Sequence, residues 1–189
     1  MALEETPAPA KRDGHAGATR VLALLSLALV GTTLGLDLPR ASRGEFWGDG
    51  ATYYAMAWSL ARDLDLRFDA VDLARVRAEY PSGPQGIFLK RASGGLTVDA
   101  AAGFPWVRRV RPEEGRLYYA KAFAHPLAAA PLVAAFGTRG LLLANGLLLS
   151  GALWLAFFVL RRRGVAPWPA LSTAVALLLL TATPVYLVW

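Results

Sequence analysis

The sequence contains no cysteine and only two histidines in 189 residues. Neither a disulfide framework nor a thiolate metal site is therefore open to it. Charge is scarce as well: 18% of residues are Asp, Glu, Lys or Arg, against roughly 25% in average soluble domains. The glycines form neither G-x-x-x-x-G-K-[ST] nor G-x-G-x-x-G, so no nucleotide cofactor is expected. Asp63, Asp65 and Asp69 begin like a calcium loop, but Arg67 and Phe68 stand where that pattern needs an oxygen ligand and a glycine. The net charge of +6 does not point to nucleic acid. The basic residues flank apolar runs and are mixed with acids, with no basic-aromatic recognition motif, so membrane lipid phosphates are the expected partner.

What the chain has in quantity is apolar sequence. A helix crossing a hydrocarbon core of roughly 30 Å needs about 20 apolar residues. Gly140–Leu160 supplies 21 uncharged residues between Arg139 and Arg161, and everything from Gly164 to Trp189 is uncharged. Val21–Leu36 is shorter, at 16 residues, and reaches Leu38 if Asp37 snorkels. It is read as an uncleaved anchor and not as a signal peptide, because no A-x-A site follows it. Ala122–Thr138 is apolar too, but Pro126 and Pro131 leave an unbroken helix only over Pro126–Phe136, too short to span, so it reads as interfacial or re-entrant.

The expected fold is all-α integral membrane, with about three transmembrane helices and a large exterior loop. The first 20 residues form a disordered cytoplasmic tail; transmembrane helices follow over 21–38, 140–160 and 168–189. The exterior loop covers 39–121, the interfacial or re-entrant segment 122–139, and a cytoplasmic loop 161–167. Arg161, Arg162 and Arg163 fix the orientation, since a short arginine-rich loop stays cytoplasmic. The N-terminus, with Lys11, Arg12 and Arg20, is then cytoplasmic, and 39–139 face the exterior of a multi-pass cell-membrane protein, although Arg40 and Arg43 pull the other way.

Within the loop, Ala51–Arg62 has the residues of a helix, with Tyr54, Trp58 and Ala61 on one face. A second short helix begins after Asp69, where Asp72 completes a capping-box spacing, and stops before Pro81. Ile87–Arg91, a Ser-Gly-Gly turn at 93–95 and Leu96–Val98 predict a small β-hairpin, with Leu117–Tyr119 as a further strand. Residues 45–80 carry seven acids and four bases, and 81–121 seven bases and three acids, which reads as two solvated faces.

Asp49 stands between two glycines, a setting that lets a substrate approach the backbone. Its carboxylate suits a general base for an incoming hydroxyl or a ligand of a divalent metal, and equally an N-cap for the helix that follows. Glu45 is a candidate second acid. Lys121 and His125, four residues apart where the chain returns to the membrane, suit a lipid phosphate or an ordinary interfacial pair. His15 falls in the tail and carries no functional signal.

Taken together, Asp49–Ala57 (D-G-x-x-Y-Y-x-x-A), Asp63–Leu66 (D-L-D-L) and Tyr118–Gly137 (Y-Y-A-K, H-P-L, A-P) resemble the N-terminal part of GT-C glycosyltransferases. The similarity is to the bacterial protein-mannosyltransferase-like and aminoarabinose-transferase-like members. The resemblance implies transfer of a sugar from a polyprenyl-phosphate donor to an acceptor outside the cytoplasm. It implies Asp49 as the acid assisting the acceptor, and Gly50 stands where the family usually has a second acid; Glu45, Tyr53, Lys121 and His125 are the candidate substrate-binding residues. It also implies that the chain is the beginning of a longer protein, since such enzymes have many more spans. The reading of a different class is a small non-catalytic polytopic membrane protein or subunit whose exterior loop binds a partner or lipid headgroups. A transporter is disfavoured, because no intramembrane charge or broken-helix pair is present.

The absence of cysteine gives the topology a clean test. Single cysteines replacing Ser93 and Arg162 are expected to differ in intact cells: an impermeant thiol reagent labels position 93 and spares position 162. Labelling at position 162 alone would reverse the orientation.

Overall fold

The computed structural model describes residues 10–91, 97–99, 108–110 and 115–180. Their order is α1 (Ala10–Gly35), α2 (Leu38–Ala41), α3 (Gly48–Arg62), α4 (Ala70–Glu79), β1 (Leu89–Arg91), β2 (Thr97–Asp99), β3 (Arg108–Val110), β4 (Leu117–Tyr119), α5 (Ala124–Phe136), α6 (Thr138–Arg162) and α7 (Pro167–Leu179). The protein is mostly helical, and two helices, Gly14–Gly35 and Thr138–Arg162, are long and apolar enough to cross a membrane. Two compact units divide it: the described parts of Met1–Thr33 with Asn145–Val188, and those of Leu34–Ala144.

In the first unit Ala18 and Leu22 of α1 pack with Leu153 and Phe157 of α6 and with Ala170, Leu171 and Ala174 of α7. Small residues let these helices close: a Cβ on Gly146 would lie 2.9 Å from Thr33 Cγ2, and one on Gly17 3.3 Å from Trp168. Trp154 Nε1 donates to Ser26 Oγ at 2.9 Å, tying α6 to α1 through polar groups. The expected tail is in part a helix, since α1 begins at Ala10; residues 1–9 lie outside the described residues. Once a long apolar helix exists, extending it costs little, and Ala10, Lys11 and Arg12 are strong helix formers. Gly17 accommodates Trp168, and His15 stacks on Phe157 with ring centroids 6.5 Å apart.

The expected first span also ends early. α1 stops at Gly35, and Asp37 Oδ1 accepts from Arg40 N at 3.1 Å to cap α2, with Pro39 in the first turn. Asp37 thus starts a new helix and does not snorkel along the old one. α6 covers the expected second span with two residues to spare at each end. α7, 13 residues opened by Pro167, covers 168–179 of the expected third; residues 181–189 lie outside the described residues.

The second unit is organised around α3, buried on nearly every side from Gly50 to Leu60. Ala129, Ala130 and Val133 of α5, Val76 of α4, and Leu141 and Ala144 at the start of α6 close around it. Phe46 stacks on Tyr80 with centroids 4.4 Å apart, and both touch the Tyr54 ring. The capping box of α4 forms as expected: Asp69 accepts from Val71 N and Asp72 N, and Asp72 accepts from Asp69 N. The α3–α4 corner is fastened by Arg75, which bonds both Asp63 and Asp72.

The expected hairpin is not the one formed. β1 pairs antiparallel with β4 (Leu89↔Tyr119, Arg91↔Leu117), and β2 pairs with β3; the 93–95 turn lies outside the described residues. Burial overrides the local turn signal. Pairing with β1, Tyr119 becomes 5% exposed and packs edge-on against Phe68, while Phe68 N and Tyr119 N bond Leu117 O and Leu66 O.

Glu79, the last residue of α4, joins three elements. It accepts from Tyr54 Oη of α3 at 2.5 Å and from Thr138 N and Oγ1, the first residue of α6, at 3.1 and 2.7 Å. The chain reaches Thr138 through Gly137 at φ +58, where a side chain would be strained and its Cβ would strike the Glu79 carboxylate. Glu79→Gln puts an amide N–H₂ where an oxygen accepts, so it is expected to lose about 1–3 kcal/mol of stability. Val71→Ala, on an exposed position, should change it by less than ~0.5 kcal/mol. Thermal unfolding of the detergent-solubilised protein measures both, and equal melting of the two variants would deny Glu79 this role.

Candidate functional site

Asp49 lies in the first turn of α3, behind the N-cap residue Trp47, which makes no side-chain cap bond. The expected N-cap role of Asp49 is therefore not the one it takes, because the helix starts earlier than the sequence predicts. Gly48, at φ +62, turns the chain into the helix, and its N–H bonds Gln85 O at 2.9 Å. From the first turn the carboxylate still meets the positive end of the helix dipole. It also meets Lys121, whose Nζ lies 2.8 Å from Oδ1 and 3.1 Å from Oδ2. The Lys121 ammonium stands 4.0 Å from the centroid of the Phe88 ring, a cation–π placement.

One helical turn further on, Tyr53 packs edge-on against His125 at 5.7 Å between centroids. Arg62 Nη2 reaches Ala134 O at 3.4 Å. The two contacts together mean that α3 and α5 run in the same direction. Four of the five expected site residues, Asp49, Tyr53, Lys121 and His125, thus fall into two adjoining pairs at the start of both helices. Glu45 stays apart from them: its Oε2 accepts from Trp47 Nε1 at 3.1 Å.

The glycines flanking Asp49 differ in what they do. Gly50 is buried, and a Cβ there would come 3.0 Å from Phe46 Cε2, so its small size serves packing and not substrate approach. Gly48 has open space beside it. Phe88 belongs to the surroundings of the pair but carries no local motif that points to it.

Among the described residues no group of three His, Cys, Asp or Glu side chains is arranged to hold a metal ion. The aspartates after α3 serve the chain itself. Asp63 bonds Arg75, Asp65 Oδ1 accepts from Ser59 Oγ and Arg67 N, and Asp69 caps α4. Hydrogen bonding from Arg75 holds Asp63 below the usual carboxylate range. Burial raises Asp65 and pushes Asp72, with a side chain 2% exposed, up to about 7. Burial also raises Tyr54, reinforced by its bond to Glu79, so the phenol keeps the proton it donates.

No family model matches the chain, and no curated protein or solved structure matches it either. The functional reading rests on this geometry and on the local motifs.

The Asp72 environment predicts a pH dependence. An acid whose folded pKa lies above its ordinary 3.8 holds its proton more tightly in the folded state. That contribution is complete below about pH 4 and is lost as pH rises through about 7. Asp65 acts in the same sense, whereas the stabilisation from Asp63 is lost only below its ordinary 3.8. Thermal unfolding between pH 4 and 7 is expected to show stability falling with pH, and Asp72→Asn to flatten that slope. An unchanged slope in the variant would remove Asp72 as its source.

Proposed function

We propose that the protein is a multi-pass membrane glycosyltransferase of GT-C type, with residues 39–139 outside the cytoplasm. In this reading α1, α6 and the segment from Pro167 onward cross the bilayer. A sugar is transferred from a polyprenyl-phosphate donor to an acceptor hydroxyl. The observation that carries the proposal is the solvent-facing Asp49 carboxylate at the start of α3, with Lys121, Tyr53 and His125 beside it. Two helices long and apolar enough to cross a membrane support the setting.

The roles follow from the chemistry. Asp49 takes the proton from the acceptor hydroxyl as its oxygen bonds to the anomeric carbon. The bond from that carbon to the donor phosphate breaks, and the phosphate leaves with the electron pair. In this reading Lys121 and His125 meet that anion and Tyr53 the sugar or acceptor, while Glu45, which bonds Trp47 and none of these residues, stays outside the site. Asp49 is half exposed and Lys121 about a quarter exposed, so their pair contributes only about 0–1 kcal/mol. Lys121 can therefore exchange Asp49 for a phosphate at little cost.

Because Asp49 is not an N-cap, removing its charge leaves the helix start intact. Asp49→Asn is expected to fold and insert normally, with a loss of less than ~1 kcal/mol, while sugar transfer from a polyprenyl-phosphate donor falls 10²–10⁴-fold, roughly the scale of general-base catalysis. Full transfer activity in Asp49→Asn would exclude the residue from catalysis. It would leave the non-catalytic reading, in which the pair is an ordinary surface contact of a subunit binding a partner or lipid headgroups.

A further inference from the structure

Thr52 lies one turn into α3, just beyond Asp49, and is fully buried. Its hydroxyl donates to Gly48 O at 2.8 Å, a common arrangement for a helical threonine. The same oxygen accepts from Phe88 N at 3.1 Å, across 36 residues of sequence. That second bond serves nothing within the helix. Phe88 touches Lys121 from below: its ring centroid lies 4.0 Å from the ammonium. Its carbonyl also accepts from Ala120 N at 2.9 Å, one residue before that lysine.

The stretch leading to Phe88 is joined to the entrance of α3 at successive points. Gln85 N donates to Phe46 O at 2.8 Å, and Gly48 N donates to Gln85 O at 2.9 Å. These bonds use backbone atoms and ask nothing of the side chains. The next, from Phe88 N, exists only because residue 52 carries a hydroxyl. An ammonium on a flexible four-carbon stem has no fixed place of its own. The half-exposed Asp49 holds it weakly. The face of Phe88 supplies a second hold, but only while that ring is itself fixed.

We infer that Thr52 is a positioning residue of the candidate site: its hydroxyl anchors Phe88 to α3, and Phe88 keeps the Lys121 ammonium at Asp49. Valine has the same shape without the acceptor, so the Phe88 N–H loses its partner and the ring its anchor. Serine keeps the acceptor. The inference deepens the proposed function, on which it rests for its chemical meaning, by naming what holds the lysine assigned to the donor phosphate beside the base. The geometry itself is testable without sugar transfer.

Carbodiimide coupling reads the pair directly, because the reagent joins a carboxylate to an amine only where the two meet. The full chain in detergent micelles is treated and digested, and the amide between Asp49 and Lys121 is quantified by mass spectrometry. The wild type is expected to form it. Thr52→Val should lower the yield about 2- to 10-fold, the scale of one net hydrogen bond, and Thr52→Ser should restore it. Phe88→Leu, at a position 46% exposed, should lower the yield as well and add little to Thr52→Val, since residues acting through one another are not additive. Unchanged yield in Thr52→Val overturns the inference, as does an equal fall in Thr52→Ser, or effects of Thr52→Val and Phe88→Leu that simply multiply. If neither Thr52→Val nor Thr52→Ala folded, the hydroxyl would serve the whole unit and the inference would fall too. No amide in the wild type would remove the pair itself. The proposed function fails separately: full transfer in Asp49→Asn sinks it and leaves the coupling pattern of the other variants intact.

Discussion

The second unit depends on where α4 ends. Its last residue, Glu79, supplies the acceptor for a phenol from α3 and for both the backbone N–H and hydroxyl of Thr138, the first residue of α6. A helix start has N–H groups with no partner inside the helix and a positive dipole end. Here a carboxylate from another helix answers both needs. The chain turns at residue 137 with φ +58, and a side chain there would displace the same carboxylate, so the α5–α6 joint favours glycine. Three helices are thereby set in place by one side chain, and the Phe46, Tyr54 and Tyr80 rings fill the space it defines.

The candidate site inherits its geometry from this frame and not from its own bonds. The Asp49–Lys121 pair is too exposed to position anything. α3 holds Asp49 and Tyr53 because its other faces are buried, and α5 brings His125 alongside because Ala129, Ala130 and Val133 are small enough to pack closely on α3. Lys121 is delivered by the β1–β4 pairing, which ends just before it and sets Phe88 beneath its ammonium. A weak contact on a rigid frame is suited to exchange: the charges can change partners while the positions stay fixed.

Some of this was legible in the chain because its signals are local. The Asp69–Asp72 box states where α4 begins, and Pro81 limits where it ends. Gly140–Leu160 is apolar over enough residues to be a long helix in any context. Lys121 and His125 stood out as a pair four apart at the end of the loop. Other features were misread where local and distant signals conflict. The Ser-Gly-Gly turn favours a hairpin after β1, but β1 takes β4 because Tyr119 is buried there. The start of the chain reads as a disordered tail, yet α1 begins within it at Ala10.

Asp49 marks the division most clearly. The sequence by itself determined a carboxylate near the start of a helix, the apolar character of the segment that becomes α5, and the long apolar runs that become α1 and α6, because composition and period are properties of consecutive residues. Only the tertiary structure decided that Asp49 meets Lys121, that Gly50 serves Phe46, that α3 and α5 run in parallel, and that Glu79 caps a helix 59 residues away. Those outcomes turn on which buried faces fit together and on where an unpaired donor finds its acceptor. Neither is encoded at any one place along the chain.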